Sequence, residues 1–593
     1  MRRARIVLLA LAAAAAMVLA AAPSSAAPKR SSTPRWVLHT QRFSGGISAG
    51  VRTMASPAAA AAQARHLRAS GAASTQAAAQ TLHNVQMNDD SNPPMPQNET
   101  AVAYNTRNPL IAVAASNDYV SGGVAIMRTA DGGKTWRTTR VTPQFLGTRD
   151  FCTGGDPAVA YSHRDRAFYI SQLCFFRALP FSEIHVIKSV DNGRTWTPGR
   201  QAARAASNFD YATGTVDESI FNDKEYIAVD NTPTSPHYGR LYVTYTKFHL
   251  TPDGSSDYCP IQLSYTDSVP TADPSQTVFN HTPVVPDAPG AGGVGESANQ
   301  FSVPQVERDG TLDIGYILEE CNTSIDHGFR FQKSTDGGAS FLPSPVHVDK
   351  PGQFVDNPDP GDLLPPTAFR APNTLSLDYN AKTGTLTYLY QNFINAAASG
   401  ADISVQQSRD GSFTWSDARF LSTQAGGVPA RNDQFFPWVD SHPRGDLYAI
   451  WFDRRRDRPT ATSTPGRRCR PTTGAPGAPT GSAPGRGTRT SGSSPPGRSS
   501  ATTTASPRPT GPCTRCGPTA ATTPSPPPAS ARPTSSPTSS CSSSRRRAHA
   551  TTPGASRSRG RASCLGYDRL QGLLDSTRRK SLVRWIGVNP GPG

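Results

Sequence analysis

One eight-residue motif occurs four times in the chain, and it constrains the fold more than any other feature. The copies read TADGGKTW at 129–136, SVDNGRTW at 189–196, STDGGASF at 334–341 and SRDGSFTW at 408–415. In a tight turn the Asp side chain can accept hydrogen bonds from nearby backbone N–H groups, Gly supplies a positive φ, and Trp can pack between neighbouring sheets. The boxes therefore predict fastened turns between strands rather than paired catalytic carboxylates, and their acidic residues are Asp131, Asp191, Asp336 and Asp410.

Six hairpins of alternating apolar and polar residues frame these boxes. Each turns on Asn, Asp or Gly and returns in β-branched and aromatic residues, the pattern of two antiparallel strands. They cover 99–116, 156–173, 224–248, 303–320, 373–393 and 436–455. A third strand follows each of the first five hairpins, and then comes the box or, in the third repeat, its relic SYTDS at 264–268. This spacing predicts an all-β fold, a six-bladed β-propeller of four-stranded blades over 97–455, with a sixth blade truncated after its second strand.

The regions outside the repeats differ from them in composition. Residues 1–26 join a basic start, an apolar run and a small-residue exit, which predicts a secretory signal and a secreted, extracellular protein without a membrane span. Residues 27–96 are expected to form an Ala-rich leader or linker. The net charge of +16 arises in the tail, because 454–593 hold 24 basic and 3 acidic residues and the rest of the chain is mildly acidic. A nucleic-acid partner, which would depend on the tail alone, is therefore not expected.

The tail at 456–593 is a low-complexity segment rich in Pro, Ser, Thr and Arg. Between 454 and 564 it has no Val, Ile, Leu, Met, Phe, Tyr or Trp, so this stretch cannot bury a core and predicts a disordered tail. A second hypothesis is a shift of the reading frame after AIWFDRR, since these residues are the set that GC-rich codons give out of frame. The tail cysteines, including CTRC at 513–516, would then carry no meaning. Four cysteines remain, and an even number in an exported chain predicts two disulfides.

The box S/T-x-D-x-G-x-T-W resembles the Asp-box, or bacterial neuraminidase repeat, of sialidases, and the resemblance covers roughly 97–453. It implies a secreted glycoside hydrolase, an exo-α-sialidase that releases terminal sialic acid from glycoconjugates. The same box also occurs in other glycosidases and in sortilin-like receptors. The alternative is therefore a non-catalytic secreted propeller that binds glycan or protein.

In this family the active site lies on the face opposite the boxes, where the loops entering the first strands meet those joining second to third strands. The resemblance implies three arginines around a sugar carboxylate and a carboxylic acid for proton transfer. Loop position makes Arg149, Arg370 and Arg431 the candidate arginines, with Asp150 as the candidate acid. Mixed charge at loop ends is equally what the solvated rim of any propeller shows, so both interpretations stay open.

The same placement of loops predicts how the four cysteines pair. Cys152 and Cys174 lie on the upper rim of the second blade, and Cys259 and Cys321 lie at that level on adjacent blades, so we expect the disulfides Cys152–Cys174 and Cys259–Cys321. The histidines are scattered without an H-E-x-x-H motif, and no zinc site or cofactor is expected. An acidic rim segment could hold calcium; it contains Asp217, Glu218 and Asp223. We expect a monomer that binds a glycan or glycoconjugate.

Overall fold

The computed structural model describes residues 33–55, 85–89, 97–145, 150–359, 361–364, 369–455 and 586–588. These residues form a β-propeller with few helices, as the alternating hairpins predict. Five antiparallel sheets, four with four strands and one with five, follow one another along the described chain, and a three-stranded sheet follows the fifth. The predicted count of six blades is wrong, because five complete blades are described; the sixth, expected to end after its second strand, is a sheet of three strands.

In each complete blade the strands pair antiparallel in chain order. Blade one contains β1 (Ala101–Tyr104), β2 (Ala112–Asp118), β3 (Gly123–Thr129) and β4 (Arg137–Val141). Blade two contains β5 (Ala158–Ser162), β6 (Ala167–Phe175), β7 (Ser182–Ser189) and β8 (Ala203–Ser207), and is followed by the short pair β9 (Phe209–Asp210) and β10 (Thr215–Val216). Blade three contains β11 (Ile220–Val229), β12 (Leu241–Leu250), β14 (Ile261–Thr266) and β15 (Asn280–Pro283), with β13 (Ser256–Tyr258) beside β12.

The later blades repeat this order. Blade four contains β16 (Asn299–Val306), β17 (Leu312–Glu319), β18 (Asp326–Ser334) and β19 (Val346–His347). The short pair β20 (Leu363–Leu364) and β21 (Phe369–Arg370) precedes blade five, which contains β22 (Leu375–Asn380), β23 (Thr385–Asn392), β24 (Asp402–Ser408) and β25 (Arg419–Phe420). The sixth sheet contains β26 (Gln434–Ser441), β27 (Leu447–Asp453) and β28 (Ile586–Val588). The helices are α1 (Arg35–Arg42), α2 (Ala49–Ala55), α3 (Ala396–Ser399) and the 3-10 turns Gly199–Gln201 and Pro274–Gln276.

The sixth sheet explains the blade count. Its first two strands are the last predicted hairpin, and their sequence alternates as in the other blades. The residues directly after Arg455 lack the apolar side chains that a third strand needs, and β27 instead pairs with 586–588. Apart from those three residues, the predicted tail lies outside the described residues, as does the predicted signal segment.

Hydrophobic contacts between adjacent blades form most of the core. First strands of consecutive blades lie side by side from β1 to β26. Buried apolar clusters fill the interfaces of blades one and two, two and three, three and four, four and five, and five and the sixth sheet. Burial together with Asp440 of the sixth sheet raises the pKa of Tyr104 in blade one, so the last sheet lies close to the first. This arrangement gathers the starts of the first strands around one axis.

The boxes occupy the turns between third and fourth strands. In the second box Asp191 Oδ1 accepts hydrogen bonds from Ser189 Oγ and from the backbone N–H of Thr195, each at 2.9 Å, and Oδ2 accepts one from Thr195 Oγ1 at 2.7 Å. The other boxes repeat this geometry around Asp131, Asp336 and Asp410. In the relic of blade three, Arg240 Nε instead bonds Asp267 at 2.7 Å. The box carboxylates therefore have turn-fastening partners within their own turns.

Two disulfides join loops on the face opposite the boxes. Cys152 is bonded to Cys174 within blade two, with Cα atoms 5.2 Å apart. Cys259 of blade three is bonded to Cys321 of blade four, with Cα atoms 5.9 Å apart. These are the pairs that the blade register predicts.

Residues 33–55, which the sequence analysis assigns to the leader, pack on this same face as α1, α2 and their connection. Trp36, Ile47 and Val51 are buried and join the apolar cluster of blades two and three. We call residues 33–55 the cap. No helix among the described residues is long and apolar enough to cross a membrane.

Candidate site at the mouth of the central tunnel

A left-handed backbone residue recurs near the start of the first strand. It is found in five of the six sheets that the structure describes: Glu99 (φ 54°), Asp156 (φ 52°), Lys224 (φ 56°), Phe301 (φ 53°) and Phe436 (φ 53°). In three sheets it lies in a β-bulge, where the register shifts within 223–226, 300–303 and 435–438. Non-glycine residues rarely adopt this conformation, and strained positions concentrate at functional sites. The recurrence therefore marks the end of the propeller at which the first strands begin.

Charged side chains of the first three blades meet at this point. Lys224 Nζ of blade three lies 2.7 Å from Glu99 Oε2 of blade one and 3.7 Å from Asp156 Oδ2 of blade two. The ammonium also lies 5.5 Å from the ring centroid of Phe301 in blade four. Four of the five left-handed residues thus contact one another through Lys224. Each is separated from the others by a whole blade of sequence.

Two further carboxyl groups flank Lys224 in the bulge of β11. Asp223 and Glu225 are both buried, with 0 % and 1 % of their surface exposed. Asp223 Oδ2 accepts a hydrogen bond of 2.5 Å from the backbone N–H of Ser48. Neither oxygen of Glu225 accepts a hydrogen bond from the described part of the chain. We refer to Glu99, Asp156, Asp223, Lys224 and Glu225 as the mouth cluster.

The mouth cluster separates the pKa values of its carboxyl groups. Burial, and then repulsion from Asp156, raises the pKa of Glu99 well above its ordinary value. The same two causes raise the pKa of Asp223 to about 7. Burial would also raise the pKa of Asp156, but the Lys224 ammonium and neighbouring polar groups outweigh burial and hold it below the ordinary value. Near neutral pH Asp156 is therefore an anion beside carboxyl groups that retain protons.

A second acidic group lies beside the mouth, between blades four and five. Arg370 Nη2 is 3.1 Å from Asp362 Oδ2, and both residues interact electrostatically with buried Glu319. Burial and the charge of Asp356 raise the pKa of Asp362 to about 6, although Arg370 opposes them. Asn373 Nδ2 links two carboxylates of this group, at 2.9 Å from Asp326 Oδ2 and 2.7 Å from Asp356 Oδ1. Arg370 is thus placed among carboxylates, with one of them as its ion-pair partner.

The cap covers both groups. Gly50 of α2 stands against the mouth cluster, because a Cβ built on it would lie 2.4 Å from Asp156 Oδ1 and 2.8 Å from Glu99 Oε1. Arg52 of the same helix interacts electrostatically with Asp223 and Glu319, one from each group. The cap therefore occupies the space that a ligand of the mouth would need.

The residues predicted for the site lie in different places. Arg149 lies outside the described residues. Asp150 is exposed and lines a cavity of about 540 Å³ with aromatic side chains of blade two, among them Phe151 and Phe181. Arg370 lies beside the mouth, whereas Arg431 is exposed and its Nε bonds the carbonyl oxygen of Arg455 at 3.0 Å. Of the four, Arg370 is the residue that the structure places near the buried carboxylates.

The three acidic residues considered for calcium do not lie together in the structure. Asp217 and Glu218 lie in the loop before β11, where Asp217 Oδ1 accepts a hydrogen bond from the backbone N–H of Ser219 at 2.9 Å. Asp223 is instead part of the mouth cluster. The described residues contain one compact group of three potential metal ligands, formed by Cys174, Glu183 and His185. Cys174 is disulfide-bonded, so its sulfur is not a free thiolate ligand.

The same region contains a hydrogen-bonded pair, Tyr211 and Glu183. Tyr211 Oη donates a hydrogen bond of 2.8 Å to Glu183 Oε1, and Arg204 stacks on the ring at 3.7 Å. Burial and the Glu183 charge raise the pKa of Tyr211, which is the opposite of what activates a phenol as a nucleophile. The pair stabilises the edge of blade two rather than supplying a nucleophile.

Sequence reasoning named Asp223 only as a possible calcium ligand and missed the rest of the mouth cluster, because it looked for charges in loops. Aligning the hairpins places Glu99, Asp156 and Lys224 in the same column, at the first position of each hairpin. A charged residue in that column in three successive blades was a usable signal. Nothing in the local sequence indicates the left-handed backbone that turns these side chains toward each other.

No protein-family model and no curated protein matches the chain. Similar solved structures include a protein of unknown function from Dyadobacter fermentans DSM 18053, with 12 % identity over 62 % of this chain and 92 % of that chain and a TM-score of 0.39. A leech intramolecular trans-sialidase has 10 % identity over 63 % of this chain and 67 % of that chain, with a TM-score of 0.39. A Penicillium chrysogenum α-L-arabinanase has 12 % identity over 62 % of this chain and 92 % of that chain, with a TM-score of 0.38. At these identities the likeness concerns the fold alone.

Proposed function

We propose that the protein is a propeller glycoside hydrolase whose reaction takes place at the mouth cluster, with Asp156 as the ionised carboxylate and Asp223 as the proton donor. Most glycoside hydrolases use two carboxyl groups, one protonated to release the leaving group and one ionised to act as base or nucleophile. The observation that carries the proposal is that two carboxyl groups of one buried cluster have pKa values displaced in opposite directions. Such divergence separates the acid from the base in known hydrolytic sites.

Lys224 and Glu99 complete the proposed machinery. Lys224 keeps Asp156 ionised, since its ammonium is the main favourable charge near that carboxylate. Glu99 lies 2.7 Å from the same ammonium and limits how far Lys224 can move. In this arrangement Lys224 is a positioning residue, while Asp156 and Asp223 face the reacting bond.

The substrate is the finer part of the proposal. Sialic acid requires guanidinium groups that are available to its carboxylate. Among the described cations near the mouth, Lys224 and Arg370 are ion-paired with propeller carboxylates, and Arg52 belongs to the cap. Because these cations are already paired or belong to the cap, an uncharged terminal sugar is favoured over sialic acid. Arg370 and Asp362 would then bind hydroxyl groups of the substrate.

A panel of fluorogenic glycosides tests the proposal. The whole chain is incubated with methylumbelliferyl derivatives of neutral sugars and of sialic acid, in long incubations because the cap covers the mouth. We expect slow release from a neutral glycoside, and Asp156→Asn and Asp223→Asn should each lower the rate by about 10² to 10⁴-fold. Asp446→Asn, an exposed carboxylate on the sixth sheet, is the matched control and should leave the rate unchanged. Equal rates in Asp156→Asn and in the unsubstituted chain would refute the assignment.

The second candidate is a propeller that binds glycan or protein without turnover. The cap favours it in one respect, because a polypeptide segment already occupies the mouth through backbone contacts such as that from Ser48 to Asp223. Calorimetric binding of an oligosaccharide by the whole chain, with no product after prolonged incubation, would support this candidate over the hydrolase.

A further inference from the structure

We propose that the cap, residues 33–55, is an autoinhibitory segment that keeps the mouth cluster closed and must lift before a ligand can enter. The identity of the ligand rests on the proposed function, whereas closure of the mouth by the cap can be measured without any glycoside turnover. The proposal is argued from the contacts of the cap, from its fit against the cluster, and from what closure leaves unsatisfied beneath it.

The cap packs on strand ends and loops of the propeller but adds no strand to its sheets. None of its described residues belongs to a β-sheet. Trp36 stacks on Phe221 at 5.3 Å between ring centroids, meets Phe175 edge-on at 5.4 Å, and donates a hydrogen bond from Nε1 to the carbonyl oxygen of Leu179 at 3.0 Å. Arg35 Nη1 adds a hydrogen bond of 2.8 Å to the carbonyl oxygen of Leu250. An attachment through side-chain packing and hydrogen bonds, with no shared strand, can release as a unit without breaking a strand ladder.

The connection between the two cap helices follows the mouth closely. Gln300 Nε2 donates a hydrogen bond of 2.9 Å to the carbonyl oxygen of Gly46. A Cβ on Gly46 would lie 2.1 Å from the carbonyl oxygen of Cys321, so no larger residue fits there. The backbone N–H of Ser48 then reaches Asp223, the proposed proton donor. The cap thus contacts the mouth through backbone groups in the way that a bound ligand would.

Arg52 holds the cap in this shape. Its guanidinium donates hydrogen bonds to carbonyl oxygens of the cap, including those of Ile47 at 2.6 Å and Phe43 at 2.7 Å. Arg52 of the cap also places a positive charge close to the carboxyl groups of Asp223 and Glu319 on the propeller.

Closure leaves polar groups beneath the cap without partners. Glu225 accepts no hydrogen bond from the described residues on either oxygen, and Oδ1 of Asp223 accepts none either. Buried polar atoms of this kind are costly and rare in folded proteins. Lifting the cap would admit solvent or a hydroxylated ligand to these atoms, so the closed state holds part of the driving force for opening.

A single methyl group tests the proposal. Gly50→Ala places a Cβ 2.4 Å from Asp156 Oδ1 and 2.8 Å from Glu99 Oε1, so α2 or these two side chains must shift. Alanine is also a better helix former than glycine, which means that any loss of closure cannot come from a weaker helix. Thr53→Ala is the matched control, because it too raises helix propensity in α2 but adds no atom against the cluster.

Closure is measured by carbodiimide labelling of carboxyl groups with glycine ethyl ester, read by peptide mass spectrometry at Asp156, Asp223 and Glu99. We expect Gly50→Ala to label these residues at least 10-fold faster than the unsubstituted chain and Thr53→Ala to label them at the same rate. Faster labelling with faster glycoside turnover supports both the cap and the hydrolase. Faster labelling without turnover supports the cap and counts against the hydrolase. Unchanged labelling in Gly50→Ala overturns the cap.

A second variant guards against loss of folding. If Gly50→Ala gives no folded protein, Trp36→Ala is measured in the same way, because it removes an aromatic anchor of the cap and adds no atom against the carboxylates. Labelling at least 10-fold faster in Trp36→Ala supports the cap. Labelling at the rate of the unsubstituted chain, in folded Trp36→Ala, overturns it.

Discussion

Replacing Lys224 by methionine tests whether the mouth cluster is a coupled, buried set of charges. The Lys224 ammonium lies 2.7 Å from Glu99 Oε2 and 3.7 Å from Asp156 Oδ2. At an effective dielectric of about 20, the separation from ionised Asp156 corresponds to an attraction of roughly 4 kcal/mol, while Glu99, whose raised pKa keeps it protonated, adds a hydrogen bond. The dehydration of the ammonium offsets much of this, and removing one partner of a buried ion pair costs about 3–5 kcal/mol in practice. We therefore expect Lys224→Met to lower the free energy of unfolding by about 3–5 kcal/mol near neutral pH.

The assay is equilibrium urea unfolding, followed by tryptophan fluorescence, at pH 7.5 and pH 4.5. Because the pKa of Asp156 lies below its ordinary value, Asp156 stays ionised at pH 4.5, so the difference between Lys224→Met and the unsubstituted chain should persist there. Lys350→Met is the matched control, because its ion pair with Asp417 is short, at 2.6 Å, but exposed, and should cost under about 1 kcal/mol. The double variant Glu99→Gln/Lys224→Met should be less destabilised than the sum of the single variants. A cost for Lys224→Met no larger than that for Lys350→Met would refute the reasoning.

Three further predictions concern pH, the disulfides and the boxes. Because the pKa of Asp223 is raised to about 7 in the fold, its contribution to stability is complete below about pH 4 and is lost as the pH rises through 7. In urea unfolding, Asp223→Asn should reduce this loss of stability by up to about 4 kcal/mol, and an unaltered pH profile would contradict the prediction. Cys259→Ser should destabilise the protein by about 4 kcal/mol and removal of the other disulfide by about 3 kcal/mol, because the two bonds close loops of 62 and 22 residues. Thermal melts in which the shorter loop costs more would contradict this dependence on loop length. Asp191→Ala should cost about 1–3 kcal/mol in thermal unfolding and leave any glycoside turnover unchanged, whereas a selective loss of turnover would make the box catalytic.

The strand pattern could be predicted because its information is local. In 156–173, for example, the alternation of DPAVAYS and the return in AFYISQL place both strands and their turn, and β5 and β6 lie where the pattern puts them. The register of the loops followed from these strands, and with it the blades and levels of the cysteines. The number of complete blades could not be read in the same way, because it depends on how the chain continues after Asp453.

The site could not be predicted because its information is not local. Lys224 meets Glu99 across 125 residues, and their contact depends on a left-handed backbone at both positions. The cap was equally hidden, since the burial of Trp36 depends on Phe175 and Phe221, which belong to two different blades. The sequence prediction selected charged residues in loops because functional residues are commonly found in loops. Here the mouth cluster lies instead near the starts of the first strands.

The most direct measurement is glycoside turnover in the Gly50→Ala background, with and without Asp156→Asn. The first substitution opens the mouth and the second replaces the proposed ionised carboxylate by a neutral side chain of the same shape. We predict that Gly50→Ala hydrolyses a neutral fluorogenic glycoside and that adding Asp156→Asn lowers the rate by at least about 10²-fold. Equal rates in the two proteins, or an open mouth that never turns over a glycoside, would contradict the account.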